Sequence, residues 1–186
     1  MMNASDGDDQ APTCMESRML PDDDVAEFLR SWEGVAATLL DRHLNVSGSS
    51  GLAQTLFPSL QLGTNLAREM FLKVIPECAF ASAEDLSYQL VAALHASLEW
   101  HEDDAEFERI VGELSTMSRE FSTAWAAARH RLRSHGVLQV SHRSAGDLAI
   151  KYQLLELASP SNTILIVWQG ADPKSESALN RLALAN

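Results

Sequence analysis

Val111-Gly-Glu-Leu-Ser-Thr-Met-Ser118-Arg-Glu120-Phe121-Ser-Thr-Ala-Trp125 decides how the rest of the chain is read. It ends one helix, turns a corner and starts another. Ser118 is a good N-cap, and Glu120 places a carboxylate in the first turn, where the helix dipole favours it. Phe121, Trp125, Ala128 and Leu132 then recur at helical spacing, so one face of the second helix is apolar. Each large ring can bury about 150–250 Å². Two such rings on one face either fill a core or wall a pocket.

The flanking segments extend the helical pattern on one side and end it on the other. Ser82-Ala83-Glu84-Asp85 is a helix start, with Ser82 three residues ahead of an acid, and Leu86, Leu90, Ala93, Leu94 and Leu98 follow on one face. Trp100-His101-Glu102-Asp103-Asp104 breaks that helix and caps the next, whose stripe is Phe107, Ile110, Val111 and Leu114. After Ser134 the period changes to two. Val137–His142, Leu148–Leu157 and Thr163–Gln169 read as strands, with Ala145-Gly146-Asp147 and Ser159-Pro160-Ser161-Asn162 as turns. Leu148, Ile150, Tyr152 and Leu154 share the strand face that helices should cover, and Lys151 and Gln153 take the other. Asp172-Pro173 opens a last helix carrying Ala178, Leu179, Leu182 and Ala183.

Upstream, residues 1–20 are polar and acidic and read as a disordered tail, leaving 21–186 as one domain. Pro21-Asp22-Asp23-Asp24 starts a short helix with an apolar stripe of Val25, Phe28, Leu29 and Trp32, and Gly34 ends it. Val35–Asp41 and Leu44-Asn45-Val46 are expected to form two antiparallel strands joined by a tight turn. Ser47-Gly48-Ser49-Ser50-Gly51 then reads as a flexible connection to a short helix closed by Pro58. In the helix that follows, Leu66, Met70 and Phe71 form the buried side. Arg68 is left either to a surface ion pair, worth ~0–1 kcal/mol, or to clamping a ligand carboxylate, which its fork suits. Five antiparallel strands with this much helix make an α+β domain.

Composition excludes several function classes. A net charge of −12 repels phosphate at long range, so no nucleic-acid binding is expected. Cys14 and Cys78 make no disulfide framework, no signal peptide opens the chain, and no apolar run approaches the ~20 residues that span a bilayer. A cytoplasmic location is the reading. No nucleophile elbow or phosphate loop is present. His95 and Glu99 lack a second histidine at helical spacing, so no metal is expected, and the chain is not read as an enzyme. The basic run Arg129–Arg133 suits a helix C-terminus.

Val-Gly-Glu-Leu-Ser, then Ser118, Glu120, Phe121, Trp125, His135-Gly136, His142, Gly146, Leu148 and Tyr152, together resemble the MmyB-like ligand-binding domain of bacterial transcription regulators. Gly63-Thr64-Asn65-Leu66-Ala67-Arg68-Glu69-Met70-Phe71 is similar to that family's Gly-x-Asn-Leu-x-Arg-x-x-Phe element. The resemblance implies a PAS-like five-stranded antiparallel sheet covered by a layer of several helices, and a small apolar ligand, a fatty acid foremost, with no other cofactor. The residues it implies for ligand contact are Asn65, Arg68, Phe71, Leu86, Leu90, Phe121, Trp125 and Tyr152. Ala128 and Arg129 stand where the family usually has a His and an Asp, which implies a different ligand range. In the family this domain follows a helix-turn-helix, and residues 1–20 leave no room for one. Two readings stay open: a ligand-binding sensor acting without its own DNA reader, or an interaction domain with a filled core, pairing with itself or with a related full-length regulator.

Overall fold

Ile164-Leu-Ile-Val-Trp-Gln-Gly170 alternates between two apolar faces, and the fold is built to cover both. The computed structural model describes residues 22–72, 83–96, 98, 103–127, 134–157 and 163–185. The strands are β1 (Ala36–Leu40), β2 (Val46–Ser49), β3 (His135–His142), β4 (Gly146–Glu156) and β5 (Ile164–Gly170). The helices are α1 (Asp22–Arg30), α2 (Gly51–Leu56), α3 (Leu66–Leu72), α4 (Ala83–Ala96), α5 (Ala105–Met117), α6 (Arg119–Ala127) and α7 (Pro173–Leu184). The strands form one antiparallel sheet in the order β2-β1-β5-β4-β3, an α+β fold as expected. The last strand therefore sits in the middle, paired with β1 from Ala36↔Trp168 to Leu40↔Ile164 and with β4 from Ile150↔Gly170 to Glu156↔Ile164.

The inner face carries Ala36, Leu40, Val46, Leu138, Val140, Ile166 and Trp168, together with Leu148, Ile150, Tyr152 and Leu154, the four that share a face in the sequence reading. Helices α2 to α7 supply the rest of this core. The outer face is covered by α1, whose Ala26 and Leu29 pack on Ala37, Leu39 and Leu165. Phe28, expected in the α1 stripe, instead stands 60% exposed, and Trp32 is only half-buried. The helix is seated through Ala26 and Leu29, which turns Phe28 away from the sheet. Leu98 is likewise exposed rather than part of the α4 stripe.

Ser47–Gly51 is not the flexible link that its composition suggested. Val46–Ser49 is strand β2, and Gly48 lies directly under α1: a Cβ there would stand 3.1 Å from both Cα and Cβ of Ala26. Ser50 is buried and does three tasks. Its hydroxyl donates to the Val35 carbonyl (2.7 Å) and accepts from Ala37 N–H (3.0 Å) and Ala53 N–H (3.3 Å), capping α2 while closing the β1 end. The capping residues Asp104 and Asp172 behave as read, accepting from Phe107 N–H and Ser175 N–H. Ser118 likewise accepts from Phe121 N–H at 3.1 Å. The tail 1–20, Ser82, both cysteines, the Trp100–Glu102 break, the Ala128–Arg133 run and the Ser159–Asn162 turn lie outside the described residues.

Helix α7 closes the inner face from the end of β5. Gly170 N–H donates to Glu176 Oε2 (2.9 Å), and a Cβ on Gly170 would fall 2.3 Å from the Glu176 backbone nitrogen. Backbone cannot swing aside as a side chain can, so the upper end of the overpacking range applies. Gly170→Ala is expected to cost about 3 kcal/mol, lowering the melting temperature by roughly 6–12 °C at this chain length. Thermal unfolding followed by circular dichroism checks it, and an unchanged midpoint would refute the close approach.

Candidate functional site

Four helices bring their rings together over the inner sheet face. Phe71 comes from α3, His95 from α4, Phe107 from α5, and Phe121 and Trp125 from α6. Phe121, fully buried, stacks on Trp125 (centroids 5.6 Å, interplanar angle 21°) and meets Phe71 edge-on (5.2 Å, 85°). Trp125 also contacts His95 at 5.2 Å and Phe107 at 6.5 Å. Leu90 is buried in the same core. Phe71 and Trp125 are only half-buried, so the ring cluster runs from the interior to the surface at both of them. Helix α6 can present Phe121 and Trp125 together because they are one turn apart and Ser118 fixes where that turn begins.

Tyr152 belongs to the same core but stands at the sheet. It is buried beside Trp168 (6.3 Å), and its ring lies across the facing backbone of Gly136 on β3. Trp168 Nε1–H donates to Thr38 Oγ1 at 3.2 Å, which satisfies the indole inside the core. The side chain of Leu86 lies outside the described residues. Of the eight residues that the family resemblance implied, Phe71, Leu90, Phe121 and Trp125 are thus gathered in the helical layer, with Tyr152 across from them.

Asn65 and Arg68 occupy a polar joint at the start of α3. The Asn65 amide donates to the His43 carbonyl (2.7 Å) and to Asn45 Oδ1 (2.9 Å), and its oxygen accepts from Arg68 N–H (3.0 Å). It therefore caps α3 and ties it to the β1–β2 turn. The Arg68 guanidinium already holds a carboxylate: Nε and Nη2 donate to Glu113 Oε2 at 2.9 and 2.8 Å, with Glu106 at 4.0 Å from Nη1. Any ligand carboxylate at this arginine has to compete with Glu113. Arg109 joins the same patch, and its hydrogen bond holds the Glu106 carboxyl below its ordinary value.

A second polar joint went unread in the sequence. Asp104, the N-cap of α5, also receives His43 Nε2 (2.8 Å) and Arg42 Nη2 (2.9 Å) from the β1–β2 turn. The helix carrying Phe107 and Glu113 is therefore pinned at both of these acids. Among the described residues no group of three His, Cys, Asp or Glu side chains is placed to hold a metal ion, and no helix is long and apolar enough to cross a membrane.

An antiparallel sheet ordered β2-β1-β5-β4-β3, with a helical layer laid over one face by the connection between β2 and β3, is a PAS-like α+β arrangement. The family model described as MmyB-like transcription regulator ligand binding domain matches residues 22–185, nearly the whole chain, and the protein belongs to that family. Comparison with curated proteins finds none that matches.

Asp104 is half cap and half ion-pair partner, and the two contributions can be separated. Asp104→Ala removes both, and an expected cost of about 2–3 kcal/mol follows from the lost cap together with the Phe107 N–H and His43 donors left without it. Asp104→Ser keeps a cap but loses the charge, so it should cost less. Denaturant unfolding of both variants measures this, and equal losses would show that the cap contributes nothing.

Proposed function

We propose that this domain is a sensor and not an enzyme, and that it takes a small apolar ligand, a fatty acid foremost, between the inner sheet face and the helical layer. The observation that supports it is the ring cluster. Phe121 lies at the centre of the core, while Phe71 and Trp125, in contact with it, reach the surface. An acyl chain would enter by parting rings rather than by unfolding a helix. The magnitudes allow it. Each ring pair contributes about 0.5–1.5 kcal/mol beyond its burial, whereas a chain of ten methylenes brings on the order of 8 kcal/mol.

A second reading has its own support. Leu148, Ile150, Tyr152 and Leu154 are all buried, Phe121 is fully so, and Arg68 already has its carboxylate. A core filled in this way suits an interaction domain. The two readings differ in what removal of a ring does. Trp125→Ala in a filled core should cost about 3–5 kcal/mol. In a pocket wall the delipidated protein loses less and fatty-acid affinity falls. Unfolding and long-chain fatty-acid titration of both proteins decide it: absence of binding and of any co-purified apolar molecule in wild type would sink the sensor reading.

The domain's influence on transcription is then indirect, through a partner regulator, because these 186 residues carry a net charge of −12. At ~50 mM salt, where phosphate contacts are strongest, an anisotropy titration of the chain with duplex DNA is expected to show no saturable sequence-specific binding. Submicromolar preference for one duplex over its scrambled version would overturn this.

A further inference from the structure

The ring cluster reaches the surface at two places, and the polar groups beside them differ. At the Phe71 end stands Arg68, three residues earlier on α3. Its guanidinium is taken, with Nε and Nη2 both donating to Glu113 Oε2 and with Glu106 and Arg109 completing the patch. At the Trp125 end stands His95, in the last turn of α4. Val91, one turn earlier on the same helix face, is fully buried, so His95 marks the point where α4 leaves the core. The imidazole is half-buried and lies 5.2 Å from the Trp125 ring, tilted by 55°. Among the described residues it makes no hydrogen bond and no ion pair. From it the rings Trp125, Phe121 and Phe71 lead inward, with successive centroids 5.6 and 5.2 Å apart.

We infer that the carboxylate of a bound fatty acid is received by His95 at the Trp125 end of the ring cluster, and not by Arg68. The inference rests on the sensor reading above and names the residue that reads the ligand's head group. Two arguments separate the two ends. A head group at Arg68 has to displace Glu113, exchanging one carboxylate for another and leaving the first without its donors, which brings no net gain. A head group at His95 forms a hydrogen bond that the empty domain lacks, since an imidazole N–H donates and a carboxylate accepts. The carbonyl end of α4 opposes a carboxylate at this place. A charge-assisted hydrogen bond is the larger of the two effects. The acyl chain then follows the rings inward, where burying each methylene is favourable.

Paired titrations of the delipidated chain with dodecanoic acid and with its methyl ester test this, because the ester keeps the chain and lacks the charge. Wild type is expected to bind the acid about tenfold tighter or more, the scale of a hydrogen bond to a charged group. His95→Leu keeps apolar packing against Trp125, so it should bring the acid to the level of the ester and leave the ester as it was. His95→Glu should reverse the preference. A histidine with a structural role alone would shift both ligands together. Arg68→Ala should keep the preference of wild type. The inference is overturned by a wild type without preference, by a preference that survives in His95→Leu, or by one that disappears in Arg68→Ala. Equal binding of acid and ester sinks this inference and leaves the sensor reading standing, whereas a wild type that binds neither overturns both.

Discussion

The fold depends on a strand that must be covered twice. β5 presents Leu165 and Val167 to one side of the sheet and Ile166 and Trp168 to the other, and both of its edges are paired. Such a strand is stable only when each face meets another layer. That requirement places α1 on the outer face and the helices between β2 and β3 on the inner one. It also explains the glycines at two close approaches, Gly48 beneath Ala26 and Gly170 beneath the first turn of α7. Because β1 pairs with β5, the first and last strands in the order of the sequence have to meet before the sheet is complete. Pairings this distant in sequence carry a loop-closure cost that local helices do not.

The helical layer is held at its rim by polar joints and at its centre by rings. Ser50, Asn65 and Asp104 each bind donors or acceptors from two different elements. His142 does the same: its Nε2 meets the Thr55 carbonyl at 3.0 Å and its Nδ1 accepts from Ala145 N–H at 3.2 Å. A carbonyl can only accept, so Nε2 is the donor of that pair. Ser175 ties α7 to β4 by accepting from Ala149 N–H at 2.9 Å. Directional bonds of this kind resist displacement, because a buried group that loses its partner forfeits its full desolvation energy. Ring contacts carry no such penalty. The domain therefore combines a frame of directional bonds at the rim with an interior held by ring packing.

What the sequence made legible follows from the range of each interaction. Caps and turns are local, so Ser118, Asp104, Asp172 and the period change after Ser134 could be read directly. The alternation Leu148, Ile150, Tyr152, Leu154 gave the inner face for the same reason. Serine and glycine at 47–51 misled, because their composition signals a loop while the site demands small residues under a helix. Phe28 misled because a stripe shows which residues are apolar but not how the helix is rolled on its sheet. The Arg68–Glu113 and His43–Asp104 pairs were illegible: the partners are far apart in the chain, and nothing local to Arg68 announces which acid it meets. For the candidate site, helical spacing put Phe121 and Trp125 on one face; only the packing of four helices adds Phe71, Phe107 and His95 to them.

Tyr152 borders both sides of the sheet. It is packed with Trp168 in the inner core, yet its ring lies over Gly136 and it borders an open groove on the outer face. A ligand alters the opposite face of the sheet only by its differential affinity for two arrangements of whatever joins the two faces. A central strand buried on both faces is a poor candidate for rearrangement, since close-packed interiors resist displacement. Tyr152 is held from both neighbouring strands, against Trp168 of β5 and over Gly136 of β3. This packing needs Gly136 to be bare, because a Cβ would stand 2.5 Å from the Tyr152 hydroxyl. Any shift of Tyr152 is therefore felt at Trp168 on β5 as well as at Gly136 on β3.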